Sequence, residues 1–295
     1  MQFFGALTAL VTPFKNGAVD EAAYREFIEF QISEGIHGLV PCGTTGESAT
    51  LSHEEHERVI EICIDQVKGR VPVLAGAGSN NTIEAIRLTR FAKKAGADGA
   101  LLITPYYNKP TQEGLYRHFK AIAEAVDMPL VPYNVPGRTG TNLLPATLSR
   151  LAHDFPNIVG VKEATGDMSQ CSLIMEQCPK GFSLLSGDDF TALPLMSIGG
   201  SGVISVTSNI VPGKVAAMYN AFAKGDIATA MGIHHDLFVL HQAMFMESNP
   251  IPVKTALNLM GLEAGELRLP LCPPADASVE KLKLALSAWD LLPNP

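Results

Sequence analysis

The chain has 295 residues, enough for one large α/β domain or two smaller ones, and 46% of them are apolar, which suffices for a sizeable core. The net charge is −8 and the basic residues are scattered, so nucleic acid is not expected as a partner. The sequence has neither an apolar run long enough to span a membrane nor a signal-peptide pattern, which favours a cytoplasmic location. The five cysteines form no C-x-x-C pair, and their odd number argues against a disulfide framework or a zinc site.

Eight short β-rich runs recur along the first three quarters of the chain. Most of them are continuously apolar rather than alternating, which is typical of strands covered on both faces in a parallel sheet. The predicted strands are Gly5–Leu10, Gly38–Cys42, Val71–Ala75, Gly99–Thr104, Leu130–Asn134, Ile158–Glu163, Phe182–Ser186 and Gly202–Val206.

Helical patterns lie between these strands. The segment Ser52–Glu55 has the spacing of a capping box ahead of an apolar stripe, and Asn81–Glu84 repeats this pattern before the next helix. Further helices are predicted at Asp20–Glu34, Gln112–Val126, Pro145–His153, Met168–Cys178, Phe190–Ser197 and Val211–Ala223.

Eight strand–helix units in succession predict a (β/α)₈ TIM barrel over residues 1–224. A doubly wound open sheet has the same alternation, but the segment Gly76–Asn81 lacks the third glycine of a dinucleotide fingerprint. Residues 225–295 predict a C-terminal helical extension without a low-complexity linker. Its helices are expected at Asp226–Met246, Pro252–Met260 and Ser278–Leu291.

Lys162 stands at the end of an apolar predicted strand, where a barrel places its active site. Burial of a lysine favours the neutral, nucleophilic amine, so Lys162 is a candidate for Schiff-base chemistry. The alternative is a strand-end lysine that pairs with Glu163 or reaches solvent. The segment alone leaves both interpretations open.

Tyr133 also ends a predicted strand, and its phenol could pass protons to and from a carbinolamine. A core tyrosine with a satisfied hydroxyl is the alternative. Arg138 follows in the next loop, where a guanidinium can hold a carboxylate through two parallel hydrogen bonds. An ordinary surface arginine is the alternative there.

The turn Gly43–Ser48 places Thr44 and Thr45 between glycines directly after a strand, an arrangement that suits a small carboxylate. A plain βα turn is the alternative. Tyr106 and Tyr107 lie on another loop and are candidates for the site or for a subunit contact.

The histidines do not predict a metal site. His53 and His56 share a helix face, but Glu57 stands where an H-E-x-x-H motif needs its second histidine. His234 and His235 are adjacent, and no third ligand is evident near either pair.

Six motifs together resemble the dihydrodipicolinate synthase family, within the Schiff-base aldolases and lyases typified by N-acetylneuraminate lyase. The resemblance extends from Phe3 to Leu292 and includes NPIPVK at Asn249–Lys254 and LRLPL at Leu267–Leu271. The six are GTTGES at Gly43–Ser48, TPYYNKP at Thr104–Pro110, YNVPGRTG at Tyr133–Gly140, KEATGD at Lys162–Asp167, LLSGDD at Leu184–Asp189 and GVISVTSN at Gly202–Asn209.

The resemblance implies a lyase of lysine biosynthesis, on the diaminopimelate pathway. It would condense pyruvate with L-aspartate 4-semialdehyde to 4-hydroxy-tetrahydrodipicolinate, with no metal or organic cofactor. Lys162 matches the Schiff-base lysine, Tyr133 the proton-transferring phenol and Arg138 the group that receives the semialdehyde carboxylate.

The remaining matches concern the pyruvate pocket and a proton relay. Thr45 matches the residue that binds the pyruvate carboxylate, and Thr44 sits in the relay. Tyr107 matches a relay tyrosine lent by a neighbouring subunit, while Gly187 and Ile204 match backbone positions that line the pocket. The resemblance implies a homotetramer built from dimers, whereas the charge and the lack of a membrane span argue against a nucleic-acid or membrane partner.

The resemblance also implies allosteric inhibition by L-lysine at a subunit interface. Six residues match that site: Ala49, His53, His56, Asn80, Glu84 and Tyr106. The alternative is that these residues are inherited and that regulation is weak or absent.

Two other functions compete with the synthase. A sialic acid or keto-deoxy-sugar lyase would share Lys162 and Tyr133, but a sugar chain calls for hydroxyl partners rather than for Arg138. A non-catalytic barrel that binds a small acid is the other, and the intact set of candidate catalytic residues argues against it.

Overall fold

The computed structural model describes residues 2–293; Met1, Asn294 and Pro295 lie outside the described part of the chain. Eight parallel strands form its centre. We number them β1 (Gly5–Ala9), β2 (Gly38–Val40), β3 (Leu74–Gly76), β4 (Gly99–Ile103), β5 (Leu130–Asn134), β6 (Gly160–Glu163), β7 (Ser183–Ser186) and β8 (Gly202–Ser205).

The strands close into a barrel. Their hydrogen-bonded order is β2-β1-β8-β7-β6-β5-β4-β3, and all pairings within it are parallel. A parallel bridge between Leu39 and Val73 joins the two ends of this order. The predicted (β/α)₈ barrel is therefore confirmed, and the doubly wound alternative is wrong.

One helix follows each strand and covers the outside of the barrel. These helices are α1 (Glu21–Ser33), α2 (His53–Val67), α3 (Thr82–Ala95), α4 (Gln112–Ala125), α5 (Pro145–Asp154), α6 (Met168–Gln177), α7 (Ala192–Ser197) and α8 (Pro212–Ala223). The predicted capping box is present at α2, because Ser52 Oγ accepts from Glu55 N and Glu55 Oε2 accepts from Ser52 N. At α3, Asn81 caps the helix by accepting from Ile83 N, whereas Glu84 points to other partners.

Three more helices follow the barrel: α9 (Ile227–Met244), α10 (Ile251–Leu259) and α11 (Asp276–Ser287). Their buried side chains belong to one apolar cluster with barrel residues such as Leu10 and Tyr24, so they pack firmly on the barrel. The division into residues 1–224 and 225–295 stays a prediction. Within residues 2–293, no helix is both long and apolar enough to cross a membrane.

The bounds of several elements differ from the sequence-based ones. The third strand begins at Leu74 rather than at Val71, because Pro72 has no N–H for the sheet and only its carbonyl is bonded, to Leu39 N. The helix predicted from Phe190 begins at Ala192, after a 3₁₀ turn at Asp189–Thr191.

Several short elements were not predicted, and two of them lie near the loops of the barrel. A small hairpin pairs Phe14–Lys15 with Ala18–Val19, and a helical turn spans Pro136–Thr139. Both are too short to leave a periodic pattern in the sequence.

Candidate active site

The candidate catalytic residues meet in a cavity of about 270 Å³ at the carboxyl ends of the strands. The cavity is formed by the ends of five strands (β2, β5, β6, β7 and β8) with the segments that follow them, and by the segment that follows α9. It is lined by Thr44, Thr45, Tyr133, Val135, Arg138, Lys162, Ala164, Gly187, Asp188, Phe190, Val206, Phe245 and Asn249.

Lys162 lies on β6 and is only 6% exposed. Its Nζ lies 4.2 Å from the centroid of the Tyr133 ring and makes no hydrogen bond to a described residue. Burial lowers the pKa of Lys162 to about 7; the Arg138 charge adds to this shift, and the Asp189 charge opposes it. A large fraction of the amine is therefore neutral and nucleophilic near neutral pH.

Glu163 does not pair with Lys162. Successive residues of a strand point to opposite faces, and Glu163 turns toward the helices outside the barrel. Its Oε2 accepts from Asn134 Nδ2 at 2.9 Å and from Gln170 Nε2 at 3.1 Å, and its Oε1 accepts from Thr165 N at 2.8 Å. The alternative of a Lys162–Glu163 pair is wrong.

Tyr133 lies on β5, next to β6, and is buried in the cavity wall. Burial raises the pKa of its phenol, while the Arg138 charge and the neighbouring Thr44 hydroxyl lower it. A neutral phenol beside a hydroxyl can both donate and accept a proton. Tyr133 and Thr44 thus place two neighbouring hydroxyl groups next to Lys162.

The loop Gly43–Ser48 after β2, called the threonine loop below, is held in place by contacts with the C-terminal segment around α10. Thr45 Oγ1 accepts from Asn249 Nδ2 at 2.9 Å, and Glu47 forms an ion pair with Lys254 of α10 at 2.7 Å. Thr12 Oγ1 also donates to Gly46 O at 2.8 Å. These contacts fix the Thr45 side chain in the cavity before any ligand arrives.

Arg138 lies on the helical turn Pro136–Thr139, at the mouth of the cavity. Its Nη2 donates to Asn249 O at 3.2 Å, and no carboxylate of residues 2–293 lies within ion-pair distance of it. The guanidinium keeps most of its donors for a ligand. The cavity therefore has a cationic group that suits a carboxylate.

Gly187 packs directly on the Lys162 side chain. A Cβ at this position would lie 3.0 Å from Lys162 Cε and 2.7 Å from Ala164 Cβ. Only glycine therefore lets the Lys162 side chain keep its observed conformation. Ile204 lies on β8, and its side chain packs inside the barrel rather than into the cavity. Any contact of Ile204 with a ligand would have to come from its backbone.

Tyr107 does not reach the cavity of its own chain. It is 89% exposed, and its φ of +70° is unusual for a non-glycine residue. Backbone conformations of this kind cluster at functional sites.

A second cavity, of about 540 Å³, lies on the side of α2 and α3 and collects most of the predicted allosteric residues. Ala49, His53, His56, Glu84 and Tyr106 line it. Asn80 does not line it, but Asn80 Nδ2 donates to Tyr106 O at 3.1 Å.

The second cavity offers charged and neutral groups. His53 Nε2 lies 3.2 Å from Glu84 Oε1, and the other oxygen of Glu84 accepts from Ser79 Oγ. Burial lowers the pKa of His56 to about 4, so its ring is neutral near neutral pH. This combination suits a ligand that carries both an amine and hydrogen-bonding groups.

A narrow cavity of about 40 Å³ lies between the other two. Thr44 and Tyr133 border it on the catalytic side. Cys42 and Ser48 border it on the side of the second cavity. The two cavities thus share the loop that carries Thr44.

Comparison with known sequences agrees with this arrangement. The profile described as the dihydrodipicolinate synthetase family matches residues 2–289. The chain belongs to the dihydrodipicolinate synthetase family.

Similar members of the family cover nearly the whole chain. The 4-hydroxy-tetrahydrodipicolinate synthase of Nitratidesulfovibrio vulgaris (strain DP4) is 66% identical over 292 residues, which are 99% of this chain and 100% of that protein. A dihydrodipicolinate synthase of Acinetobacter baumannii, solved in complex with pyruvate, superposes with a TM-score of 0.95 at 48% identity over 98% of this chain and 99% of its own. One from Cyanidioschyzon merolae, solved with lysine bound, has a TM-score of 0.96 at 42% identity over 99% of this chain and 100% of its own.

The cavity of this dihydrodipicolinate synthetase family member is also lined by residues for which the sequence predicted no role. Asp188, Phe190, Phe245 and Asn249 line the catalytic cavity. Asp188 and Asn249 stand in the LLSGDD and NPIPVK motifs, which was the available signal. Nothing in the sequence pattern places Asn249 beside Thr45, because 204 positions separate them.

Proposed function

We propose that the protein is a lyase that condenses pyruvate with L-aspartate 4-semialdehyde to 4-hydroxy-tetrahydrodipicolinate in lysine biosynthesis. The buried Lys162 amine carries this proposal, because its pKa near 7 makes it a nucleophile beside a phenol. Full-length relatives named 4-hydroxy-tetrahydrodipicolinate synthase and a neighbour solved with pyruvate support it.

The first half of the reaction uses the inner cavity. Neutral Lys162 attacks the keto carbon of pyruvate, and loss of water gives an iminium ion. Thr45 binds the pyruvate carboxylate, Gly187 and the backbone of Ile204 line its pocket, and Tyr133 with Thr44 moves the protons. The iminium ion acts as the electron sink, so the methyl group of pyruvate can lose a proton without a metal or an organic cofactor.

The second half uses the mouth of the cavity. The enamine attacks the aldehyde carbon while Arg138 holds the carboxylate of the semialdehyde. The amine of the semialdehyde then displaces Lys162 and closes the ring. A cationic group at this position favours a short amino acid over the hydroxyl-rich chain of a sugar.

Steady-state turnover tests this assignment against the related sugar lyases. The protein should consume pyruvate and aspartate semialdehyde and leave N-acetylneuraminate intact. Arg138→Ala should raise the KM for the semialdehyde roughly tenfold to a hundredfold and leave the KM for pyruvate nearly unchanged. Cleavage of N-acetylneuraminate without use of the semialdehyde would reverse the assignment.

We further propose that L-lysine inhibits the enzyme by binding in the second cavity. Glu84 provides a carboxylate for an amine of the ligand, and Ala49, His53, His56, Asn80 and Tyr106 belong to the same binding site. Titration with millimolar lysine should reduce activity. Glu84→Gln should weaken the inhibition, whereas Glu176→Gln, at an exposed position of α6, should not.

The proposed assembly is a cytoplasmic homotetramer, a dimer of dimers, in which each subunit lends Tyr107 to the site of its neighbour. The exposure and the unusual backbone of Tyr107 support this role. Sedimentation should give the mass of four chains. A monomer with full activity would contradict the sharing of Tyr107.

A further inference from the structure

The second substrate carries a group to which the proposed mechanism gives no partner. Besides its aldehyde and its carboxylate, an amino-acid aldehyde has an α-ammonium ion. Arg138 cannot bind that ion, since both are cations. This inference rests on the proposed function and asks which side chains of the cavity bind the ammonium ion.

Asp188 is a carboxylate in the cavity wall with one oxygen still available. Its Oδ1 accepts from Phe190 N at 3.1 Å, which holds the turn after β7, whereas its Oδ2 has no hydrogen-bond partner within residues 2–293. Burial, with a smaller contribution from the charge of Asp189, raises the pKa of Asp188. Such a carboxylate gains from a cation placed beside it, because little water competes.

The adjacent Asp189 shows the contrast. Its Oδ1 accepts from Ser205 Oγ at 2.5 Å, and its Oδ2 accepts from Val206 N at 2.9 Å and Thr207 N at 3.1 Å. Both oxygens of Asp189 are occupied in holding the end of β8. Of the two aspartates, only Asp188 lines the cavity.

Asn249 supplies a second, independent acceptor. Its side chain is 7% exposed and lines the same cavity. Its Nδ2 donates to Thr45 Oγ1, but its Oδ1 is buried without a hydrogen-bond partner in the described chain. A buried unpartnered oxygen is costly, and a donor from a ligand would remove that cost.

We propose that the Asp188 carboxylate, with Asn249 Oδ1 as a second acceptor, binds the α-ammonium ion of the aldehyde substrate while Arg138 holds its carboxylate. Asp188 then determines specificity: it favours an aldehyde substrate that carries an α-amino group over the same carbon chain without that group. The contact also orients the nitrogen, which must give up a proton to solvent or to the Asp188 carboxylate before its lone pair displaces Lys162.

The variant Asp188→Asn and a substrate pair test the proposal. The amide keeps the bond to Phe190 N but loses the charge. The KM for L-aspartate 4-semialdehyde should rise by about tenfold or more. The inhibition constant of 4-oxobutanoate, which is the same chain without the ammonium ion, should change by less than about twofold. Asp127→Asn, an exposed position after α4, is the charge-matched control and should change neither constant.

Two results would overturn the proposal. Equal weakening of both aldehydes would show a structural role for Asp188, and an unchanged KM for the semialdehyde would show no role in binding. The proposed function is tested separately by the unsubstituted protein. If that protein did not use aspartate semialdehyde at all, the function would fall, and the ammonium contact would fall with it.

Discussion

The reactivity of the site comes from the surroundings of one side chain. Lys162 has no carboxylate partner among residues 2–293, and its amine lies against the face of Tyr133 in a cavity closed by Gly187. The same burial that lowers its pKa makes it costly to the folded state. The desolvation of Lys162 therefore makes its amine reactive and at the same time lowers the stability of the folded protein.

The pKa of Lys162 predicts the pH dependence of Schiff-base formation. Below pH 7 the amine binds a proton and loses its lone pair, so the rate constant for iminium formation at low pyruvate concentration should fall about tenfold per pH unit. Above this pH the rate should level off. Rapid quenching with borohydride across pH 5 to about 9 measures it. A rate that kept rising tenfold per pH unit up to about pH 9 would contradict a lowered pKa.

The same shift predicts a gain in stability when Lys162 is replaced by Met. The folded-state pKa of about 7 lies below the ordinary 10.5, so the unfolded chain binds more protons between these values and stability rises with pH. The variant should therefore be more stable than the unsubstituted protein by on the order of 4 kcal/mol at pH 7, and this difference should shrink toward pH 10. Urea denaturation at both pH values measures the difference. A destabilised variant at pH 7 would contradict the argument.

Residues of the site differ in how far the sequence reveals them. Lys162 and Tyr133 are visible because each polar group ends an apolar strand run. Asp188 and Asn249 acquire their roles only through the fold. The missing hydrogen-bond partner of Asn249 Oδ1 within residues 2–293, for example, can be recognised only from three-dimensional contacts.

At the scale of elements, the apolar runs and caps predict the barrel well, and proline accounts for the largest shift in a strand. Val71–Ala75 has the apolar pattern of a strand, but the observed strand begins only at Leu74, because Pro72 has no N–H to donate to the sheet. Asp188 caps the 3₁₀ turn Asp189–Thr191, and α7 therefore begins at Ala192 rather than at Phe190. Local patterns thus give the existence of an element more reliably than its ends.

A buried ion pair links the loop that carries Thr44 and Thr45 to α10. Lys254 Nζ lies 2.7 Å from Glu47 Oε1, and both side chains are almost completely buried. Lys254 also donates to Thr12 O at 3.0 Å, and its Nζ lies 4.4 Å from the centroid of the Phe14 ring. Removal of one partner would leave a buried charge.

Lys254→Met should therefore destabilise the protein by about 3–5 kcal/mol, because Glu47 loses its countercharge in the interior. Lys283→Met removes an exposed pair with Glu280 and should have little effect. Urea denaturation of both variants at neutral pH makes the comparison. Equal stability of the two variants would mean that the buried pair does not hold the loop.

At the scale of the whole molecule, barrel closure explains why distant residues act together. Thr45, Lys162 and Asn249 come from three separate parts of the chain and meet at one end of the barrel. The loop that carries Thr44 also borders the narrow cavity toward the proposed lysine site. We propose that lysine bound in the second cavity acts on Tyr133 and Thr44 through this shared loop.

Covalent trapping tests the central claim most directly. The protein is incubated with pyruvate, reduced with borohydride, digested and mapped by mass spectrometry, with the Lys162→Met variant as the control. The account predicts one reduced pyruvate adduct on the peptide that contains Lys162 and none in the variant. An unmodified Lys162, or an adduct on another lysine, would contradict it.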